Sequence, residues 1–451
     1  MTNHGGSEQF MMAGNQVKLP PGPRGKWWPT WQLIRDPRRA LSHWTQRYGD
    51  PFLLRALNGP VVVTGRSELI KQIFGANPDH LGVFATQTTA SILGAGSLLV
   101  MQGEPHRRER RLLTPLFTGE RMKAYGDTMR EVALRRTHQH QGGNPFLMMD
   151  TTTEISLEII VRAVFGGQQP EVVDQMFRAA KRLVDRSSPL IFFSNKMQFR
   201  CGGWSPWDRY LAARDQLFKA LDHELNRAES IDSERSDILY LLKQATYEDG
   251  SQIADSHLRE SLATLLFAGH ETSALAMAWA MYHLHRHPDV LAKLKDSLAA
   301  ADDSPEAYAA NHWLKAVVQE SLRLNPIVTE VLRVALEPLA LGDYVIPAGL
   351  AVAPAIVLAH YNPETYPDPE AFRPERFLER SFSPFEFLPF GGGHRRCIGA
   401  AFATYEMQIV LGTLIRNFEF ELLETRPVGV RRRSVTMGPS TGIAMRVSRA
   451  L

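Results

Sequence analysis

Three consecutive glycines, a pair of arginines, a cysteine and then an apolar run limit what this 451-residue chain can become more than any other stretch. The segment reads Phe390-Gly391-Gly392-Gly393-His394-Arg395-Arg396-Cys397-Ile398-Gly399. Glycines in series let a backbone adopt positive φ and pass close to a flat, bulky object. The apolar spacing of Ile398 to Ile415 predicts a helix that begins at once and places Cys397 at its N-terminus. There, backbone N–H groups, the positive end of the helix dipole and the charges of Arg395 and Arg396 all favour a thiolate. Such a thiolate serves as a nucleophile, sits by chance in a phosphate-cradling loop, or binds a metal. A phosphate loop would close its glycines with Lys and Ser/Thr, which are missing here. A nucleophile needs a histidine base delivered by the fold, which the linear sequence leaves open, as it does a plain buried cysteine.

Phe390, Gly393, Arg395, Cys397 and Gly399 fill the pattern Phe-x-x-Gly-x-Arg-x-Cys-x-Gly, which resembles the heme-binding loop of the cytochrome P450 family. The resemblance implies heme b with Cys397 as axial thiolate ligand and with Phe390, Arg395 and Gly399 against the cofactor. It implies a mainly α fold with a small β region, one large domain enclosing heme. Further segments follow in family order. His106 and Arg110, four apart on one helix face, match the His-x-x-x-Arg segment that partners the heme propionates, and Arg333 matches another propionate partner. Arg107, Arg108 and Arg111 would then face outward, toward an acidic electron donor. Ala268-Gly269-His270-Glu271-Thr272-Ser273 resembles the oxygen-binding segment, with Ala268 and Gly269 against the cofactor and Thr272 and Glu271 delivering protons. Glu320-x-x-Arg323 and, in Phe372 to Phe377, Arg376 match a buried ion network that braces the cysteine loop.

The implied function is monooxygenation: two electrons and two protons are taken up with dioxygen, and one oxygen atom enters a lipophilic fatty acid, terpenoid, steroid or polyketide-like molecule. No segment resembles a flavin or iron–sulfur domain. The electrons are therefore expected from a separate ferredoxin or flavodoxin with an NAD(P)H-dependent reductase. The alternatives are a peroxide-using or isomerising heme-thiolate enzyme, and a non-catalytic heme-based sensor or carrier.

Composition fits this reading. A hydrophobic fraction of 44% and a charged fraction of 22% are ordinary for a globular protein, and a net charge of +3 is no nucleic-acid footprint. Only Cys201 and Cys397 are present, so Cys201 is expected to be a free thiol in a reducing cytoplasm. Residues 1–18 read as a flexible polar leader with no transmembrane anchor, followed by the Leu19-Pro20-Pro21-Gly22-Pro23 segment and a catalytic domain over 19–451. A cytoplasmic monomer is expected.

Along the chain, 37–49 reads as a helix and Pro51 to Thr64 as a hairpin around Asn58-Gly59. Leu81 to Val100 reads as an irregular pocket roof with Phe84 and Ile92 as candidate substrate contacts. Residues 149–187 and 205–230 read as helices, separated by the apolar segment Pro189 to Trp204, a lid by resemblance. Asp255 or Ser256 is expected to cap a long buried helix ending at His287, with His283, His285 and His287 on the surface near its C-terminus. Ile327 to Val357 reads as β, with Val328 and Thr329 lining the pocket by resemblance. Arg431 to Arg433 reads as solvated, and Met437 to Gly442 as a last pocket contact.

Overall fold

The computed structural model describes residues 10–12, 15–117, 120–167, 169–187, 191, 198–228, 237–433 and 435–450. Two units draw on three segments each: Met1–Thr86, Leu322–Ala371 and Arg380–Cys397 in one, Gln87–Ser321, Phe372–Glu379 and Ile398–Leu451 in the other. Within the leader, Phe10–Met12 and Asn15–Val17 pair antiparallel.

The first unit is built on a five-stranded sheet. The hairpin forms as expected: β1 (Phe52–Ala56) and β2 (Gly59–Thr64) pair from Ala56 opposite Gly59, whose φ of 122° suits glycine. With β3 (Leu81–Val83), β4 (Arg333–Ala335) and β5 (Ala351–Pro354) the order is β1-β2-β5-β4-β3, and only the β2–β5 pair is parallel. Both faces are covered, which is why Val61, Val62 and Val63 are apolar in succession rather than alternating. Leu53, Val62 and Val352 face the core that receives Ile70 and Ile73 of helix α3 (Ser67–Gly75). Phe52, Leu54, Val61 and Val63 face the core of Leu41 and Trp44 on α2 (Pro37–Tyr48). α2 begins where Asp36 accepts the N–H of Arg39 and ends at Gly49, and α1 (Trp27–Arg35) precedes it.

The second unit is helical. At its centre α7 (Asp255–Arg286) packs along α6 (Met148–Phe165), which is buried on nearly every side. α4 (Thr86–Leu93) and α5 (Gly103–Leu113) precede them. α8 (His312–Leu324) begins in this unit, and α9 (Ala400–Asn417) packs on α7.

Several expectations are corrected. Leu81 to Val100 is irregular only in part: 94–100 holds no helix or strand, but the segment before it forms β3 and α4, the latter fixed by burial of Ile92 and Leu93 and by Tyr210, whose hydroxyl donates to the Ile92 carbonyl at 3.0 Å. Residues 149–187 form two helices, because Gly166 at φ 78° ends α6 and Pro170 starts the next, Pro170–Asp185. Ala254, not Asp255 or Ser256, is the N-cap of α7; Asp255 is its first residue, where a carboxylate still favours the dipole. α9 begins at Ala400 with Gly399 as N-cap, so Cys397 lies two residues before the cap. His283, His285 and His287 are half-buried among aromatic rings rather than on the surface. His283 stacks on Phe372 at 4.9 Å, and burial pushes His285 down to about 4. Of the Pro189 to Trp204 segment, Leu190, Phe192, Phe193 and Met197 lie outside the described residues, Ile191 is buried, and Phe199 and Trp204 are exposed.

Candidate active site

The cysteine loop closes on itself in the first unit. The Cys397 N–H donates to the Phe390 carbonyl at 3.0 Å and the Gly391 N–H to Leu388 at 2.9 Å. Gly391 and Gly393 have φ of 65° and 66°. A Cβ at Gly392 would stand 2.4 Å from the Phe74 ring, so the bulky neighbour that demands a glycine there is the end of α3. Cys397 is exposed and in no disulfide, as is Cys201. Arg333 on β4 is buried. Burial, and then the charge of Arg395, push its guanidinium down to about 10.

Behind the loop lies a brace that sequence reading found only in part. Arg323 on α8 is fully buried and donates from Nη1 to the carbonyls of His360 and Pro369, each at 2.9 Å, and from Nη2 to Ala371 at 3.1 Å. Nε2 of His360 accepts the N–H of Leu388 at 3.0 Å, and Nδ1 faces the Arg323 carbonyl at 3.3 Å. This pattern fixes a neutral imidazole protonated on Nδ1, and burial pushes it down to about 3. The path Arg323–His360–Leu388–Gly391 thus reaches the loop. In the second unit, Glu320 accepts from Arg376 Nε at 3.0 Å and from the Arg373 N–H at 2.9 Å, with both charged side chains buried.

α7 is buried along most of its length, but Ala268 is exposed and Gly269, Glu271 and Thr272 are half-buried. The helix therefore opens a window of small and polar side chains in its middle. Thr272 Oγ1 donates to the Ala268 carbonyl at 2.9 Å, leaving its lone pairs to accept. His270 turns inward, Nδ1 on the Leu266 carbonyl at 2.7 Å, and burial pushes it down to about 4. Arg433, expected to be solvated, is half-buried: it donates to the Pro439 carbonyl at 3.0 Å, and the negative charge of Glu271 offsets part of its burial. A triple-arginine run gave no sign of this.

On α5, His106 is buried and Arg110 half-buried. Arg107 pairs with Glu104 at 2.8 Å, Arg108 with Asp249 at 2.8 Å, and Arg111 with Glu104 and Glu248, so the outward arginines are engaged within the chain. Between them Glu109 is buried. Burial alone would raise its pKa, but His257 at 3.1 Å, Tyr247 and Ser261 hold it below the usual carboxylate range.

A second unforeseen acid is Glu406 on α9, fully buried where the Ser156 hydroxyl of α6 and the Ser273 hydroxyl of α7 face it without closing well-formed hydrogen bonds. Burial outweighs both and pushes it up to about 7. Because this exceeds the unfolded value near 4.5, its contribution to stability is fully present below that pH and is lost as pH rises through about 7. Glu406→Gln is expected to remove the slope and to stabilise the protein at about pH 8 by on the order of 3 kcal/mol. Thermal melts across pH test this; an unchanged slope in the variant would clear Glu406 as its source.

Among the described residues, no cluster of His, Cys, Asp and Glu forms a separate metal site, and no helix is long and apolar enough to cross a membrane.

Comparison with known proteins agrees with this geometry. The Cytochrome P450 family model matches residues 20–444. Cytochrome P450 138 of Mycobacterium tuberculosis is 35% identical over 432 residues, 94% of this chain and 95% of that protein. Cytochrome P450 135B1 of the same organism is 34% identical over 446 residues, 97% and 93% of the two chains. The structure of cyanobacterial CYP120A1 with retinoic acid bound aligns at a TM-score of 0.85 and 23% identity, covering 96% of this chain and 100% of that one. The chain belongs to the cytochrome P450 family. It has that family's mainly α fold with small sheets, carries heme on a cysteine thiolate, and is of the monooxygenase class, which uses a substrate, dioxygen and redox partners.

The residues present fit that cofactor. Arg333 is buried where the charge of half-buried Arg395 acts on it, a pair of like charges that an anion such as a propionate would offset. The glycine loop offers an exposed cysteine sulfur on a closed backbone.

Proposed function

We propose that Cys397 is the axial ligand and that the protein, with residues 19–451 as catalytic domain, inserts one oxygen atom into a lipophilic small molecule. The window Ala268–Thr272 in an otherwise buried helix carries this reading. An acid and a hydroxyl side by side in the accessible middle of such a helix are placed where proton transfer can be organised. When bound, heme supplies dioxygen binding and the oxidising chemistry. Ala268 and Gly269 leave room beside it. Thr272 Oγ1, its hydrogen held by the Ala268 carbonyl, accepts from a water and so holds that water with its second proton available inward, and Glu271, beside Arg433, replenishes the water's proton from solvent. His106, Arg110, Arg333 and Arg395 partner the propionates, while Phe390 and Gly399 shape the loop. Electrons come from a separate ferredoxin or flavodoxin with its reductase, and the enzyme works as a cytoplasmic monomer.

Thr272→Ala is expected to lower product formed per NAD(P)H consumed by about tenfold or more, with peroxide released instead and Thr272→Ser restoring coupling. Full coupling in the alanine variant would remove Thr272 from proton delivery. The substrate class is tested by screening lipophilic compounds for the low- to high-spin absorbance change, then assaying hits with a reductase system. If no compound supports NAD(P)H-coupled oxidation, a sensor or carrier role replaces the proposal; turnover with peroxide alone favours a peroxide-using enzyme.

A further inference from the structure

Helix α1 presents an apolar face that the core does not use. Its inner side is occupied: Pro29 is buried and Leu33 packs on the Leu41–Trp44 core. On the outer side Trp27, Trp28, Trp31 and Ile34 are 78%, 63%, 45% and 44% exposed. At 100° per residue these four positions fall within an arc of roughly 120°, one side of the helix. Leu57, at the tip of the β1–β2 hairpin, is 45% exposed, and its N–H ties the hairpin to α1 by donating to Thr30 Oγ1 at 3.1 Å. Three indoles and two aliphatic side chains therefore form one outward patch. Single exposed apolar residues need no explanation, but a cluster of this kind marks an interaction surface.

The charges around the patch select the occupant. Arg24, Lys26 and Arg35 are exposed beside it, and no ion pair joins any of them to an acid among the described residues. The Arg35 guanidinium lies 5.2 Å from the Trp31 ring centre, and Trp28 stacks on Trp31 at 4.8 Å. Tryptophans at the level of lipid headgroups, flanked by arginine and lysine, are the composition that suits a bilayer interface with anionic lipid. Self-association would bring the same cations together.

We propose that the α1 face, with Leu57, docks reversibly on the surface of an anionic lipid bilayer, burying its indoles at headgroup depth with Arg24, Lys26 and Arg35 on the lipid charges. Among the described residues no helix is long and apolar enough to cross a membrane, and the attachment proposed is peripheral. It is weakened by salt and leaves the fold intact.

The test uses the holoprotein and vesicles of phosphatidylcholine with about 30% phosphatidylglycerol at low ionic strength. Flotation with these vesicles is expected, together with a blue shift of tryptophan emission, with much weaker flotation on pure phosphatidylcholine and release by salt. The triple variant Trp27→Ser, Trp28→Ser, Trp31→Ser is expected to lose about tenfold or more in partitioning while its carbon monoxide difference spectrum stays normal. Arg24→Glu with Lys26→Glu is expected to weaken binding to the anionic vesicles alone. The proposal is overturned if the parent protein does not float at low salt, or if the triple variant floats equally well. It is also overturned if the parent is a dimer without vesicles and the triple variant is not, which would seat a second copy on the face.

Discussion

Cys397→Ser is expected to abolish the red-shifted Soret band of the reduced, carbon-monoxide-bound protein and to take monooxygenation to background, a loss on the order of a thousandfold or more. A serine hydroxyl stays protonated near neutral pH and is a poor donor to iron, whereas a thiolate is both charged and polarizable. The exchange preserves shape. The N–H of residue 397 still donates to Phe390 and the glycine conformations are untouched, so the loop should close as before. Cys201→Ser is the matched control. Cys201 is exposed, its N–H donating to Asp208 at 2.7 Å, and its loss should leave the band intact. With only two cysteines in the chain, the pair of variants assigns the thiolate without ambiguity. A band that survives in the Cys397 variant and vanishes in the Cys201 variant would overturn the assignment of every loop residue.

The parts legible in the sequence share a physical property: they are local. A glycine pair at a turn, an apolar run with its stop at Pro288, and a cysteine behind glycines each declare themselves within a few residues, and the hairpin, α7 and the closed loop formed where expected. What was not legible depends on partners distant in the chain. Glu109 lies amid arginines and reads as part of a solvated face, yet Tyr247, His257 and Ser261 enclose it. Arg433 reads as one of three solvated cations until Pro439 and Glu271 are brought beside it. Glu406 breaks an apolar helix, the one sign of a buried acid, but nothing in the linear order names Ser156 and Ser273 as its neighbours. The helix in the roof segment is illegible for the same reason: α4 is short and weakly patterned, and it is held by burial of Ile92 and Leu93 and by a tyrosine on another helix.

Arg323→Ala is expected to yield protein that is poorly folded and heme-poor, destabilised by on the order of 3–5 kcal/mol. The resemblance paired this arginine with Glu320 and Arg376, and the structure adds the carbonyls it serves. Removing the side chain leaves the buried carbonyl of His360 and the part-buried carbonyls of Pro369 and Ala371 without their donor, and it opens a cavity beside Tyr366, whose ring centre is 5.1 Å from the guanidinium. Lysine should rescue little, because one ammonium cannot reproduce the planar fork that reaches three acceptors from two nitrogens. His360→Ala separates bracing from bulk stability. It leaves the Arg323 bonds to Pro369 and Ala371 in place but removes the acceptor of the Leu388 N–H, two residues before Phe390. Such a variant should fold yet hold its heme loosely, losing it to an apo-acceptor protein about tenfold faster or more. If Arg323→Ala instead kept normal heme content and melting temperature, the brace would have no hold on the cysteine loop, and the rigidity of that loop would have to come from Phe74 and the glycines alone.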